Sequence, residues 1–420
     1  MDHFTYKNGA LHAEDVSLAM IAEAVGTPVY IYSRATLERH AQVFKAALSG
    51  LPRTHIAFAI KANPNLAVLN VLARQGFGAD VVSGGEISRA LAAGMKAQDI
   101  VFSGVGKTRA ELAQALEAGI GQFNIELEEE GAVLADMAAQ MGRRASAVLR
   151  VNPDVDAGTH AKISTGKSEN KFGVPISEAM GIFARLSGLP GLNLRGVACH
   201  IGSQLFDLAP LEAAYARIGE QVSALRAAGH TIDRVDLGGG LGVPYERDKV
   251  PPSPADYGAM VERVTRGWDV TLMFEPGRVI VGNAGVLLTR VIWVKPGVAR
   301  PYIIVDAAMN DLARPAMYDA FHDFEAVHPK GERMVANIAG PVCETGDTFA
   351  MGRDIDAVTS GDLAIFRTAG AYGATMASTY NSRALVPEVM VDGARFAVVA
   401  ERVLPETLIA AEHVPGWLRD

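Results

Sequence analysis

Residues 56–63 read IAFAIKAN, five apolar residues followed by a lysine. A short apolar run bounded by polar residues reads as a buried strand, and the Leu/Ala-rich stretch Asn65–Gln75 after it reads as a helix. The same couplet recurs along the next two hundred residues. The strand-like runs are Ile56–Ile60, Ala79–Val82, Ile100–Phe102, Phe123–Ile125, Ala147–Val151, Gly196–Cys199, Val235–Leu237 and Val270–Phe274. Helical segments separate most of them, and one more, Ala35–Leu48, precedes the first. Strands buried on both faces and alternating with helices imply parallel pairing. Eight such units imply a closed (β/α)8 TIM-type barrel, with a doubly wound open sheet as the alternative.

What stands just past each run favours the barrel. These residues are Lys61, Ser83, Ser103, Glu126, Asn152 (with Arg150 inside its run), His200, Gly238–Gly240 and Glu275. Barrel enzymes place their chemistry at the C-terminal ends of their strands. Loops are wet, so any one polar residue there means little. Eight together, including a lysine, a histidine and a glutamate, mean more.

The 420 residues suit two or three domains, or one barrel with a smaller partner. Hydrophobic residues make up 49% and charged residues 20%, which excludes a disordered or fibrous chain. A net charge of −8, spread without long like-charge runs, argues against nucleic acid as a partner, since such binders normally carry a basic face. Two cysteines, Cys199 and Cys343, cannot build a disulfide framework, and the first sixteen residues lack a signal-peptide pattern. The most apolar stretch, Val279–Val294, is interrupted by Asn283 and Arg290 and is too short for a membrane span. A cytoplasmic enzyme is expected.

After Glu275 the texture changes to short alternating runs: Gly285–Val294, Tyr302–Asp306, Arg333–Ile338, Asp362–Arg367, Glu388–Val391 and Arg395–Glu401. A β-rich C-terminal domain is expected, with Asp392-Gly393 as a type I′ hairpin signal. Residues 157–171 read as a long polar loop inside the barrel.

Three elements carry chemistry. Lys61 at a barrel mouth can become a nucleophile toward aldehydes, although a strand-end lysine can also simply snorkel. Gly238-Gly239-Gly240-Leu241-Gly242 follows the seventh run, where barrel loops often bind phosphate through backbone N–H groups, or it makes a tight turn. Glu275-Pro276-Gly277-Arg278 follows the eighth and offers a carboxylate for a ring nitrogen, or a local ion pair. A Schiff-base lysine, a phosphate cradle and a ring-nitrogen carboxylate together specify pyridoxal 5′-phosphate. No metal is expected.

AFAIKAN, DVVSGGE, RVNPD, HIGSQ, GGGLG, EPGR, RPAMY, PVCETGD and GAYG occur in this order. So arranged, they resemble the fold-type III pyridoxal-phosphate decarboxylases, of the alanine racemase-like barrel group, and most closely the diaminopimelate decarboxylase family. The resemblance spans nearly the whole chain. It implies a barrel at 27–278, with 1–26 and 279–420 forming a β-domain that contributes to a homodimer with shared active sites. It also implies roles at matching positions. Lys61 would hold the cofactor aldehyde, Asp80 would lie beside the cofactor, and His200 would stack on the ring. Gly238, Gly239, Gly240, Gly277 and Tyr372 would hold the phosphate, with Ser203 near it. Glu275 would keep the ring nitrogen protonated, which favours decarboxylation.

Arg278, Arg314 and Tyr318 would grip the substrate carboxylate remote from the reacting carbon, and Tyr372 would also line the substrate. Arg278 would reach the cofactor as well. Two arginines suit a diamino diacid. Cys343 would return a proton to the decarboxylated carbon and Glu344 would accept the distal ammonium, both from the partner subunit. Cys343 could otherwise be a small buried hydrophobe. Thr345 and Leu205 stand where the family more often has serine and isoleucine, and neither is a proposed contact. The expected reaction converts meso-2,6-diaminopimelate to L-lysine and CO2. Ornithine, arginine or carboxynorspermidine decarboxylation is the alternative within the same chemistry, and a non-catalytic cofactor carrier is the alternative outside it.

Overall fold

Eight parallel strands close on themselves within the unit Leu37–Val281. They are β1 (Thr54–Ala59), β2 (Gly78–Val81), β3 (Ile100–Phe102), β4 (Gln122–Ile125), β5 (Ala145–Asn152), β6 (Leu192–Ala198), β7 (Arg234–Asp236) and β8 (Thr271–Phe274). Each pairs with its neighbour in sequence, and β8 returns to β1 through Leu272↔Thr54 and Phe274↔Ile56. The expected barrel is therefore closed. The computed structural model describes residues 2–156, 171–246 and 248–419, so the polar loop read at 157–171 lies, but for Lys171, outside the described residues.

The helices follow from capping and one-sided burial. Asn65 accepts from the Ala67 N–H and starts Leu66–Arg74, whose Val68, Leu69 and Leu72 are buried. Thr108 with Glu111, and Ser253 with Asp256, form capping boxes. Ser83 caps Gly84–Ala92 by accepting from the Glu86 N–H. That strand-end serine thus has a helix-starting job.

The other unit comprises Met1–Thr36 and Gly282–Asp420. Its main sheet runs Thr348–Asp356, Arg333–Ala339, Tyr302–Val305, Gly285–Lys295, Val29–Ser33, Glu388–Asp392 and Arg395–Ala400. Phe4, Leu11, Leu18 and Ile21 from the N-terminus share one apolar core with Val286, Ile365 and Val389.

Two expectations need correction. The barrel does not begin at residue 27, because Val29–Ser33 pairs antiparallel with Gly285–Lys295 and parallel with Glu388–Asp392. Backbone hydrogen bonds assign this strand to the β unit, whatever its nearness in sequence to the barrel. The hairpin loop is Gly393–Ala394, one residue later than read, since Asp392 still pairs with Arg395. Only Gly393 of those two has positive φ, which fits a glycine-first turn better than type I′. Among the described residues no helix is long and apolar enough to cross a membrane.

Pairing between β5 and β6 slips at Arg195, since Leu194 faces Ala147 while Gly196 faces Val148. Arg195 bulges and its guanidinium binds Asp233. A Cβ on Gly196 would lie 1.7 Å from the Arg234 carbonyl oxygen. Gly196→Ala should lower stability by about 3 kcal/mol or more, measured as the urea midpoint. An unchanged midpoint would mean that β6 and β7 can part at no cost.

Candidate active site

At the C-terminal end of the barrel, the Lys61 ammonium donates to Asp80 Oδ2 at 2.9 Å. Lys61 sits in the short turn after β1, and Asp80 lies fully buried on β2. The other oxygen, Asp80 Oδ1, is buried without a hydrogen-bond partner. A buried orphan acceptor is costly unless a ligand supplies the donor.

His200 follows β6. Its Nδ1 accepts from the Gly239 N–H at 3.2 Å, which leaves the ring proton of the neutral form on Nε2. Loss of water around the ring, and then the nearby charges of Arg150 and Lys61, hold His200 well below the usual histidine range. It is a neutral imidazole at pH 7. Arg150 is itself anchored, donating to Glu126 Oε1 at 2.7 Å, and Glu126 also accepts from the Gly104 and Gly173 N–H groups.

The turn after β7 has room for no side chains. A Cβ on Gly238 would come within 2.6 Å of the Cys199 carbonyl oxygen, and one on Gly239 within 2.3 Å of the Glu275 carbonyl oxygen. One on Gly240 would meet the Gly202 oxygen at 2.6 Å. Gly277 follows β8, and a Cβ there would press on Ala59 and Ala62 at 3.1 Å. Burial raises the Glu275 carboxyl well above the ordinary range, aided by Asp236 and Asp80 and opposed by Lys61. Arg278, buried, donates through Nε and Nη2 to Ser203 Oγ and through Nη1 to the Tyr245 hydroxyl at 2.7 Å.

Lys61, Asp80, His200, Ser203, Gly238–Gly240, Glu275, Gly277 and Arg278 are thus brought to one mouth. An unpaired acceptor, a bare backbone cradle and a proton-holding carboxyl fit pyridoxal phosphate.

The remaining candidates belong to the β unit. Arg314 opens the short helix Arg314–Tyr318, is buried, and donates to His322 Nε2 at 2.8 Å. His322 Nδ1 in turn bonds the Arg367 carbonyl, so the imidazole is neutral with its proton on Nδ1. Tyr318 closes that helix, half-buried. Tyr372 has φ of 54°, an uncommon conformation for a non-glycine residue. Cys343 and Glu344 are exposed. Their loop is held by Asp347, which accepts from the Val342 and Met309 N–H groups at 2.6 Å, and the Cys343 N–H donates to Asn381 Oδ1. The sequence reading passed over Tyr245 and His322. Tyr245 lies three residues past GGGLG and His322 eight past Arg314, and each is identified only by the arginine it meets.

Residues 34–282 match the family described as pyridoxal-dependent decarboxylase, pyridoxal binding domain. Across 418 residues the chain is 52% identical to the diaminopimelate decarboxylase of Zymomonas mobilis, covering 99% of both. The chain belongs to the diaminopimelate decarboxylase family. The Pseudomonas aeruginosa diaminopimelate decarboxylase is 50% identical over 415 residues, again 99% of each. The crystal structure of diaminopimelate decarboxylase from M. jannaschii in co-complex with L-lysine superposes with a TM-score of 0.95, at 35% identity and 99% coverage of both chains. This family membership makes the barrel a pyridoxal-dependent decarboxylase domain.

Just before Arg314, Asp311 is buried and accepts from the Ala308 N–H at 2.8 Å. Burial pushes its carboxyl up to about 7, against the pull of Ala308 and Arg383. Between about pH 4 and that value the folded chain keeps a proton that the unfolded chain has lost. Stability therefore falls as pH rises through this window and levels off above it. Asp311→Asn should flatten the slope and raise stability at pH 8 by up to about 4 kcal/mol, read from urea melts at pH 5 and pH 8. The same slope in the variant would move its source to another group.

Proposed function

We propose that this chain removes CO2 from meso-2,6-diaminopimelate to give L-lysine, the last step of lysine biosynthesis, as a cytoplasmic homodimer. The observation that carries this reading is the meeting of Lys61, the bare Gly238–Gly240 turn and the proton-holding Glu275 at one barrel mouth. Near 50% identity to diaminopimelate decarboxylases over the whole chain supports the substrate.

Bound pyridoxal phosphate supplies an electron sink for the pair of electrons left when CO2 departs. The chain's own groups do the rest. Lys61 would hold the cofactor through its aldehyde group, Asp80 positions the free Lys61 ammonium beforehand, and the second Asp80 oxygen would face the cofactor. The backbone of Gly238–Gly240 and Gly277 would hold the phosphate, with Ser203 and Tyr372. Glu275 holds a proton at the ring nitrogen, which deepens the sink. Neutral His200 would stack on the ring and add no competing charge.

Arg278, Arg314, Tyr318 and Tyr372 hold the substrate, the arginines taking the carboxylate that is not lost, and this orients the other α-carbon. His322 fixes Arg314 for that task, and Tyr245 with Ser203 fixes Arg278. Cys343 Sγ returns a proton to the decarboxylated carbon and Glu344 takes the distal ammonium. Exposure of both on their own chain supports their serving a partner subunit's site.

CO2 release from the cofactor-loaded protein, offered meso-diaminopimelate, L-ornithine, L-arginine and carboxynorspermidine in parallel, should be strong only with the first, with lysine as product. Preference for another would keep the chemistry and remove the role given to the arginine pair. Silence on all four with cofactor bound would leave a carrier.

Mixing inactive Lys61→Ala with inactive Cys343→Ala should restore about a quarter of wild-type activity, since half the dimers are mixed and each has one intact site. No recovery despite proven subunit exchange would make each chain self-sufficient.

A further inference from the structure

A barrel interior is ordinarily filled by apolar layers, yet this one carries a chain of buried polar side chains. Gln122 and Asn124, two apart on β4, are both fully buried, as are Asp236 at the end of β7 and Ser103 just after β3. The chain begins at Arg234, whose Nη1 donates to Gln122 Oε1 at 3.1 Å. A guanidinium can only donate, so this contact fixes which way the Gln122 amide faces. Gln122 Nε2 then donates to Asn124 Oδ1 at 2.7 Å and to Asp236 Oδ2 at 3.2 Å. The Asn124 amide is fixed in turn. Its Nδ2 points at Ser103 Oγ, Asp236 Oδ2 and Glu275 Oε1, at 3.0, 3.2 and 3.2 Å.

Both amides therefore aim a hydrogen at Asp236, and Asn124 also reaches Glu275. Both carboxyls contact the one Asn124 Nδ2, so they lie side by side, and like charges that close in a buried site favour a single proton on the pair. Asp236 receives three N–H donors, from Gln122, Asn124 and the Gly238 backbone at 2.9 Å. Glu275 receives Asn124 and a long contact from Ser103 Oγ at 3.4 Å. The better-served carboxyl is the one that carries the charge.

We propose that Asp236 is a positioning residue, the ionised member of this pair, and that it keeps the shared proton on Glu275 where the cofactor's ring nitrogen binds. The order is imposed by the donor chain from Arg234. The proposed function enters only in saying what that proton serves. Other titratable groups facing the pair are Asp80 and Lys61 beside Glu275, Arg234 on the same strand as Asp236, and Cys199, Tyr215 and Tyr257 around it. Burial raises both carboxyls and Asp236 raises Glu275 further, in keeping with one proton for two acids.

The test is infrared spectroscopy of the full-length protein, with and without pyridoxal phosphate, following the carboxylic-acid carbonyl band against pH. In the cofactor-free protein, Glu275→Gln should delete one such band. Asp236→Asn should keep that band but lower the pH at which it vanishes by about one to three units, since a neighbouring negative charge is gone. Asp236→Glu should restore the original midpoint. Adding cofactor to the wild type should remove the band as the proton passes from Glu275 to the ring nitrogen.

An unmoved midpoint in Asp236→Asn, or a band that survives Glu275→Gln and disappears in Asp236→Asn, overturns the proposal. Should Asp236→Asn not fold, Gln122→Leu serves, an apolar replacement of similar shape. It should shift the band's frequency, and an unchanged frequency and midpoint would detach the donor chain from the pair. Neither arm needs turnover, so failure here is distinct from failure in the substrate panel.

Discussion

The return of β8 to β1 is the contact on which the barrel site depends. It brings the strand that ends before Lys61 beside the strand that ends before Glu275. Those two residues come from opposite ends of the barrel sequence, and the strands that lead into them are joined by backbone hydrogen bonds. The remaining ladders then fix where Asp80, His200 and the glycine turn must emerge. In an open sheet β1 and β8 would not meet, and Lys61 would lack Glu275 as a neighbour.

Burial of charge is the cost of this arrangement, and the network chemistry shows how it is met. Glu126 accepts from one guanidinium and two backbone N–H groups, Asp347 from two backbone N–H groups, and Arg278 finds two hydroxyl oxygens. Hydrogen bonds to charged groups are the strong kind, which is why these residues can be both buried and ionic. Asp80 Oδ1, beside Lys61, has no such donor.

Much of this was legible in the amino-acid order. Each of the eight apolar runs became a barrel strand, because a strand buried on both faces leaves a continuous apolar signature. Thr348–Asp356 was missed for the opposite reason. It lies at a sheet edge, and Gly352, Arg353 and Asp354 break off the run Phe349–Met351, so the nine-residue strand leaves no continuous apolar mark. Phe324–Ala326 has Glu325 at its centre and shows no apolar run. At the site, residues inside short motifs could be read, whereas Gln122, Asp236 and His322 matter through partners distant in the chain or in other elements. Their hydrogen-bond direction has no sequence signature.

The turn after β7 also sets how the sequence can drift. Gly119 ends a helix in the left-handed conformation with open space where a Cβ would go, so asparagine is a plausible neighbour in sequence space. Gly239 is different in kind. Its φ lies outside the left-handed range, so the torsions alone do not demand glycine. What excludes a side chain is the Glu275 carbonyl oxygen. Because that oxygen is main chain and every residue type carries one, no exchange of side chain at 275 makes room at 239, and glycine there is held by the spacing of two strand ends.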